Sequence, residues 1–200
     1  MKQTFVRGAI FRLALVGICA AIIESVKIPL SGIPGVELVT LFTALFGYCF
    51  GPVGILAAIV FCLIETLLHG IGSMFFWWII LYFSYYPLLA AIFVLLRKAR
   101  VKNRAIIAAI AAFMTVWFSF LSVLLDAIFF SWGNQTTTFW AQFVARVITG
   151  YAWFIGQTAF NAVAFSLLFN RLSNLLIGIE NKFFPVSKKS EKGLDKTDEI

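Results

Sequence analysis

Apolar residues run along this chain in long unbroken blocks, not in the alternating or three-and-four-spaced patterns of half-buried strands and helices. The blocks cover residues 8–26, 36–50, 53–69, 73–96, 104–130 and 140–170. A helix crossing a hydrocarbon core needs about 20 such residues, so the pattern predicts an all-α integral membrane protein with about six transmembrane helices. The membrane domain is expected over residues 1–172, followed by a basic, polar and disordered cytoplasmic tail over 173–200. The second block is short, and the third opens at Gly51-Pro52, a pair that predicts a tight turn. The first block lacks a small-residue cleavage site and runs directly into Glu24 and Lys27, which argues for a retained span over a signal peptide.

One interruption stands out. The stretch KIPLSGIPGVELVT, residues 27–40, separates the first two blocks with two prolines, two glycines, a lysine and a glutamate. Pro29 and Pro34 fit poorly inside a helix, and Gly32 and Gly35 weaken one further, so the first helix is expected to end before them. Such a segment either connects two spans or forms a shaped loop over something.

Composition agrees with the pattern. The chain is 62% hydrophobic and 12% charged, with a mean hydropathy of +0.96, whereas soluble domains carry about 25% charged residues. The net charge of +7 is distributed as a topology signal. Lys2, Arg7 and Arg12 open the first span; Arg97, Lys98, Arg100, Lys102 and Arg104 fill the break between the fourth and fifth; Arg171, Lys182, Lys188, Lys189, Lys192 and Lys196 follow the sixth. An even number of spans between these segments puts both termini in the cytoplasm and leaves segments 27–35, 70–73 and 131–139 outside. Nothing in this charge calls for a nucleic acid. Cys19, Cys49 and Cys62 lie within apolar blocks and read as small buried hydrophobes, with no metal-ligand spacing.

With that orientation, every acidic residue before the tail falls towards the outer side: Glu24, Glu37, Glu65 and Asp126, joined by His69 and Arg146. Charges within a membrane usually face a cavity or a partner, so a one-sided collection suggests a pocket opening outward. Glu24 and Glu37 are near enough to the interface to be solvated instead. Glu65 and His69, at i and i+4, either bond each other or contact a ligand. Asp126 and Arg146 come from consecutive helices and either pair or contact a ligand. Gln157 and Asn161 form a deeper amide pair suited to interhelical hydrogen bonds or to a ligand. Aromatic residues Trp78, Tyr82, Tyr85 and Tyr86, with Trp132, Trp140 and Trp153, add walls for a ring-containing molecule, although interfacial tryptophans are common. Mixed charge permits a zwitterionic or carboxylated ligand, with Arg146 as the best anion contact.

Catalysis is not expected. His69 is the only histidine and is too close in sequence to activate Ser73, and no Walker A lysine motif is present. No cofactor or metal site is predicted.

The order of features resembles the substrate-binding S components of energy-coupling factor (ECF) transporters. The resemblance rests on IPLSGIPGVELVTL (28–41), FGYCFGPVGILAA (46–58) and the basic break RKARVKNR (97–104), and it covers residues 8–170. It implies a bacterial plasma-membrane subunit that captures a vitamin in an outward-facing site. The loop 27–37 would close over that site, helped by segments 69–75 and 131–140. It further implies docking to an ECF transmembrane scaffold subunit and two cytoplasmic ATPase subunits, which hydrolyse the ATP, while the binding subunit topples in the bilayer. The family docks through small residues on the first helix, matched here by Ala14, Gly17 and Ala21, with glycine replacing one expected alanine. The rival expectation is a membrane structural or assembly protein without a small-molecule substrate, in which the same polar residues pair helices.

Overall fold

The computed structural model describes residues 2–33, 35–70, 77–133 and 138–183. Its helices, in chain order, are α1 (Lys2–Leu30), α2 (Val39–Phe50), α3 (Pro52–Glu65), α4 (Trp77–Lys98), α5 (Arg104–Gly133), α6 (Phe139–Ala164) and α7 (Asn170–Phe183). Single π-helical turns extend α3 over Thr66–Gly70 and join α6 to α7 over Phe165–Phe169. No strand occurs among the described residues.

Four helical stretches are long and apolar enough to cross a membrane: Ala9–Leu30, Trp77–Lys98, Arg104–Trp132 and Phe139–Ile179. They expose Leu13, Leu95, Phe113 and Ile148 on their outer surfaces. Such extensive apolar exposure is unfavourable in water and fits a multi-pass protein embedded in lipid.

The second and third expected spans are shorter, at Val39–Phe50 and Pro52–Leu68. Helix α2 has 12 residues, which at 1.5 Å each reach about 18 Å, well under the ~30 Å hydrocarbon core. It forms the centre of the bundle instead: Leu41, Ala44, Leu45 and Cys49 are fully buried. Its approach to α4 depends on Gly47, because a Cβ there would sit 2.4 Å from the carbonyl oxygen of Ala90. Only a residue without a side chain allows the backbones so near, as in small-residue packing of membrane helices. Phe61, Phe93, Phe165 and Phe169 fill the remaining space around it. At the far end of α2, Arg97 of α4 donates Nη1 to the carbonyls of Tyr48, at 3.1 Å, and of Cys49. This basic residue of the expected topology signal therefore also caps a helix C-terminus, where free carbonyls and the helix dipole favour a cation.

Three expected boundaries move. Helix α1 passes through Pro29 and ends at Leu30, so the connection is 31–38 and not 27–35. Proline is tolerated there because it lies in the last turn, where it removes one backbone bond just before the helix stops. Helix α5 runs on to Gly133. Helix α7 carries the chain past the expected start of the tail at residue 173 to Phe183. Its composition is polar, yet Leu172, Leu176 and Ile177 share one face and pack against the core, and Ser173 is buried. Residues 184–200 of the expected tail lie outside the described residues, as do Pro34 and Ser73.

Candidate functional site

The connection 31–38 is the irregular segment between two apolar helices, and its backbone groups need partners or a polar cavity. Irregular backbone at membrane depth occurs only where protein buries it or where it lines such a space. Here it folds onto α6. Gly35 adopts φ 73°, and a Cβ at this position would lie 3.2 Å from the Gln157 nitrogen and 3.3 Å from the Gly156 carbonyl carbon. Glycine is required twice over, for the left-handed backbone and for the close approach.

Between this connection and α1, α4, α5 and α6 lies a cavity of about 170 Å³. That is the scale of a space holding one aromatic ring. Ser31, Gly35 and Glu37 come from the connection, Lys27 from α1, Trp78, Tyr82 and Tyr86 from α4, Phe118 from α5, and Trp153 and Gln157 from α6. The aromatic walls brace one another: the Tyr82 and Tyr86 rings meet edge to face at 5.2 Å, and Tyr85 backs Phe118 at 4.7 Å. Such contacts hold the ring orientations, and Tyr82 is further stacked on Phe61 at 6.2 Å.

The polar groups are held from behind. Glu37 Oε1 accepts from Thr40 Oγ1 at 2.5 Å and from Asn161 Nδ2 at 3.1 Å, and Asn161 Nδ2 also donates to Thr115 Oγ1 at 3.0 Å. This chain ties α2, α5 and α6 together beneath the cavity floor, with Thr40, Thr115 and Asn161 buried. Lys27 pairs with Glu65, whose carboxylate is 5% exposed, and its ammonium lies 5.7 Å from the Tyr82 ring centre. Glu24 is close enough to interact electrostatically with both Lys27 and Glu65.

The candidate residues thus separate into groups. Glu37, Trp78, Tyr82 and Gln157 line the cavity. Glu65 and Asn161 stand one contact behind it, through Lys27 and Glu37. His69 falls on the π-helical turn after Glu65, and its side chain lies outside the described residues, as do 71–76 and 134–137 of the two other outer segments. Asp126 and Arg146 do not line the cavity. Arg146 Nη1 lies 3.5 Å from Asp126 Oδ2, its guanidinium stacks 4.2 Å from the centre of Phe130, and Trp77 Nε1 donates to Asp126 Oδ1 at 2.5 Å. Of the two roles expected for Arg146, pairing with Asp126 is the one seen here, with an aromatic face beside it.

Sequence reasoning passed over Lys27, Gly35, Phe118 and Thr115 as site residues. Lys27 carried a signal, since it is one of two bases outside the cytoplasmic clusters. Thr115 carried none: its hydroxyl donates to the Ala111 carbonyl at 2.9 Å, the ordinary behaviour of a threonine in a membrane helix, and its second role depends on Asn161 arriving from another helix.

A roomier groove of about 500 Å³ lies between α5 and α6, among Val123, Phe143, Val147 and Phe154. The hydroxyls of Ser119 and Thr158 are spent on their own helices, on Thr115 and on Phe154. It offers apolar contact without orientation, whereas the smaller cavity combines walls with convergent polar groups, the mark of a specific site. No family model, curated protein or solved structure matches this chain.

Proposed function

We propose that this chain is the high-affinity substrate-binding subunit of an ATP-driven importer of the ECF type, in a bacterial plasma membrane. The observation that carries the reading is the cavity itself: a connection between two apolar helices folds back through Gly35 onto α6 and contributes Glu37 to an aromatic chamber. The glycine at φ 73° sets the path of the connection, and Thr40 and Asn161 hold the carboxylate at the cavity.

In this reading six helices cross or enter the bilayer, both termini are cytoplasmic, and the cavity faces outward beneath the connection acting as a gate. The chain binds and is not an enzyme; ATP hydrolysis belongs to two separate cytoplasmic ATPase subunits reached through a membrane scaffold subunit. Support for docking comes from α1, where Ala14, Gly17 and Ala21 are all exposed alongside Ile10, Leu13 and Ile18. This face is left out of the protein's own core, and small residues would let a partner helix approach closely.

The test is mass spectrometry of small molecules released from the purified protein in detergent, followed by thermal melting with the identified compound. A ligand that binds only the folded state raises the melting temperature. A vitamin-like molecule released near one per chain supports the reading; an empty protein unshifted by a broad vitamin panel sinks it. The structural alternative draws on the bonds that Glu37, Asn161 and Thr115 make between helices. It predicts that Glu37→Ala unfolds the protein, whereas the transport reading predicts a folded variant without uptake.

A further inference from the structure

The charge balance of the cavity points to the chemistry of what fills it. Lys27 is the single base among the residues described as lining the space, and Glu65 already pairs with it. Glu37 lines the same space with no cation beside it among its described partners, and Glu24 adds a further carboxylate within reach of Lys27 and Glu65. The region therefore holds three carboxylates against one ammonium. Protonating Glu24 would still leave a surplus of one negative charge. The other candidate base, Arg146, is held away by Asp126.

A second observation is independent of that count. Buried side-chain atoms without a hydrogen-bond partner among the described residues are Glu24 Oε2, Glu65 Oε1, Asn161 Oδ1 and the hydroxyls of Thr43 and Tyr85. Glu24 and Glu65 also hydrogen-bond each other side chain to side chain, so one of the two carboxyls supplies an O–H; that leaves Asn161 Oδ1 as an acceptor only, and no buried side-chain N–H is left over among the described residues. Glu65 and Asn161 each stand directly behind a residue that lines the cavity, and both are more than nine-tenths buried. Neither lines the cavity; the group a ligand meets is the Glu37 carboxylate, which accepts N–H donors and favours positive charge. The walls agree: Trp78, Tyr82 and Trp153 present aromatic rings, whose faces attract cations.

We propose, building on the binding-subunit reading, that the substrate is a small planar cation bearing N–H donors, oriented by the Glu37 carboxylate and enclosed by the aromatic walls, and that carboxylated ligands are rejected. Rejection follows from the same groups, because an anion would meet the Glu37 carboxylate, and Lys27, the one base among the described lining residues, is paired with Glu65.

Three probes of one shape and different charge test this: benzamidine, benzamide and benzoate, titrated into the full-length protein in detergent and followed by tryptophan fluorescence and thermal melting. Trp78 and Trp153 line the cavity and report occupancy. Benzamidine is expected to bind at least about tenfold tighter than benzamide, which corresponds to about 1.4 kcal/mol, with benzoate weakest. Glu37→Gln keeps the shape and hydrogen-bonding reach of the side chain, and it is expected to erase most of the preference for benzamidine. The ranking in the unmodified protein stands as a test even if that variant fails to fold. Equal binding of all three, a preference for benzoate, or an unchanged ranking in Glu37→Gln overturns the cation assignment while leaving a binding subunit in place. No response to any probe at millimolar concentration, from a protein that also releases no small molecule on purification, overturns both.

Discussion

Two places in this molecule combine an acid, a base and aromatic rings near one end of the bundle, and they have opposite outcomes. At Asp126 and Arg146 the set is closed: the carboxylate takes the guanidinium on one oxygen and the Trp77 indole on the other, and Phe130 covers the cation. Around Lys27, Glu65 and Glu37 the set is open: Lys27 and Glu37 line a chamber, and Glu37 has no cation among its described partners. The same residue types make a clamp in one case and a site in the other. The difference is whether hydrogen-bonding capacity is exhausted within the protein, and that distinguishes structural from functional polar groups better than their presence in a membrane does.

The comparison can be broken by mutation. The largest effect is expected at the buried pair. Lys27→Met leaves Glu65 without its counter-charge at 5% exposure and should cost about 3–5 kcal/mol, read as a much lower melting temperature. Adding Glu65→Leu should restore most of that stability while leaving ligand binding impaired, because an apolar pair of similar volume replaces a charged one at little cost. If the double variant is as unstable as the single one, the pair is not the source of the loss.

Gly35→Ala comes next. It forces an L side chain to φ 73° and against the backbone of Gly156 and Gln157, which should cost about 1–2 kcal/mol and displace the connection. Ligand affinity should fall more than the melting temperature does. An unchanged affinity would separate the connection from the site.

At the closed pair, Arg146→Met should lower stability by about 1 kcal/mol, since the pair is partly exposed and Trp77 still holds Asp126. Ligand affinity and charge preference should not move. Loss of binding in a folded Arg146→Met protein would return this arginine to the site. The smallest effect is expected from Ala14→Ser on the exposed face of α1: melting unchanged, and co-purification with scaffold and ATPase subunits the measurement that registers docking.

The particular misses are instructive. Pro29 read as a helix terminator, but a proline in the last turn removes one bond and nothing more, so α1 brought Lys27 within reach of Glu65 as a helical residue. Helix α2 read as a short span; its burial by α4 and by the phenylalanines around it frees it from the length that lipid demands. The stretch after residue 172 read as tail because its composition is polar, while its apolar residues fall on one face.

What this sequence determined by itself is the class of the protein and the approximate positions of its apolar helices. Transfer of apolar residues to lipid and the need to satisfy backbone groups inside it act on each segment separately, so local composition suffices. It also marked the connection around Gly35 as irregular and Glu37, Tyr82 and Gln157 as worth watching. Only the tertiary structure decided which charges meet. Lys27 with Glu65, Glu37 with Asn161 and Arg146 with Asp126 are contacts between residues far apart along the chain. Each acid could have met either base, and helix packing, through approaches such as that of Gly47 to Ala90, selected among them. The Glu37 carboxylate, lining the cavity with no cation among its described partners, is what remains after those pairings are made.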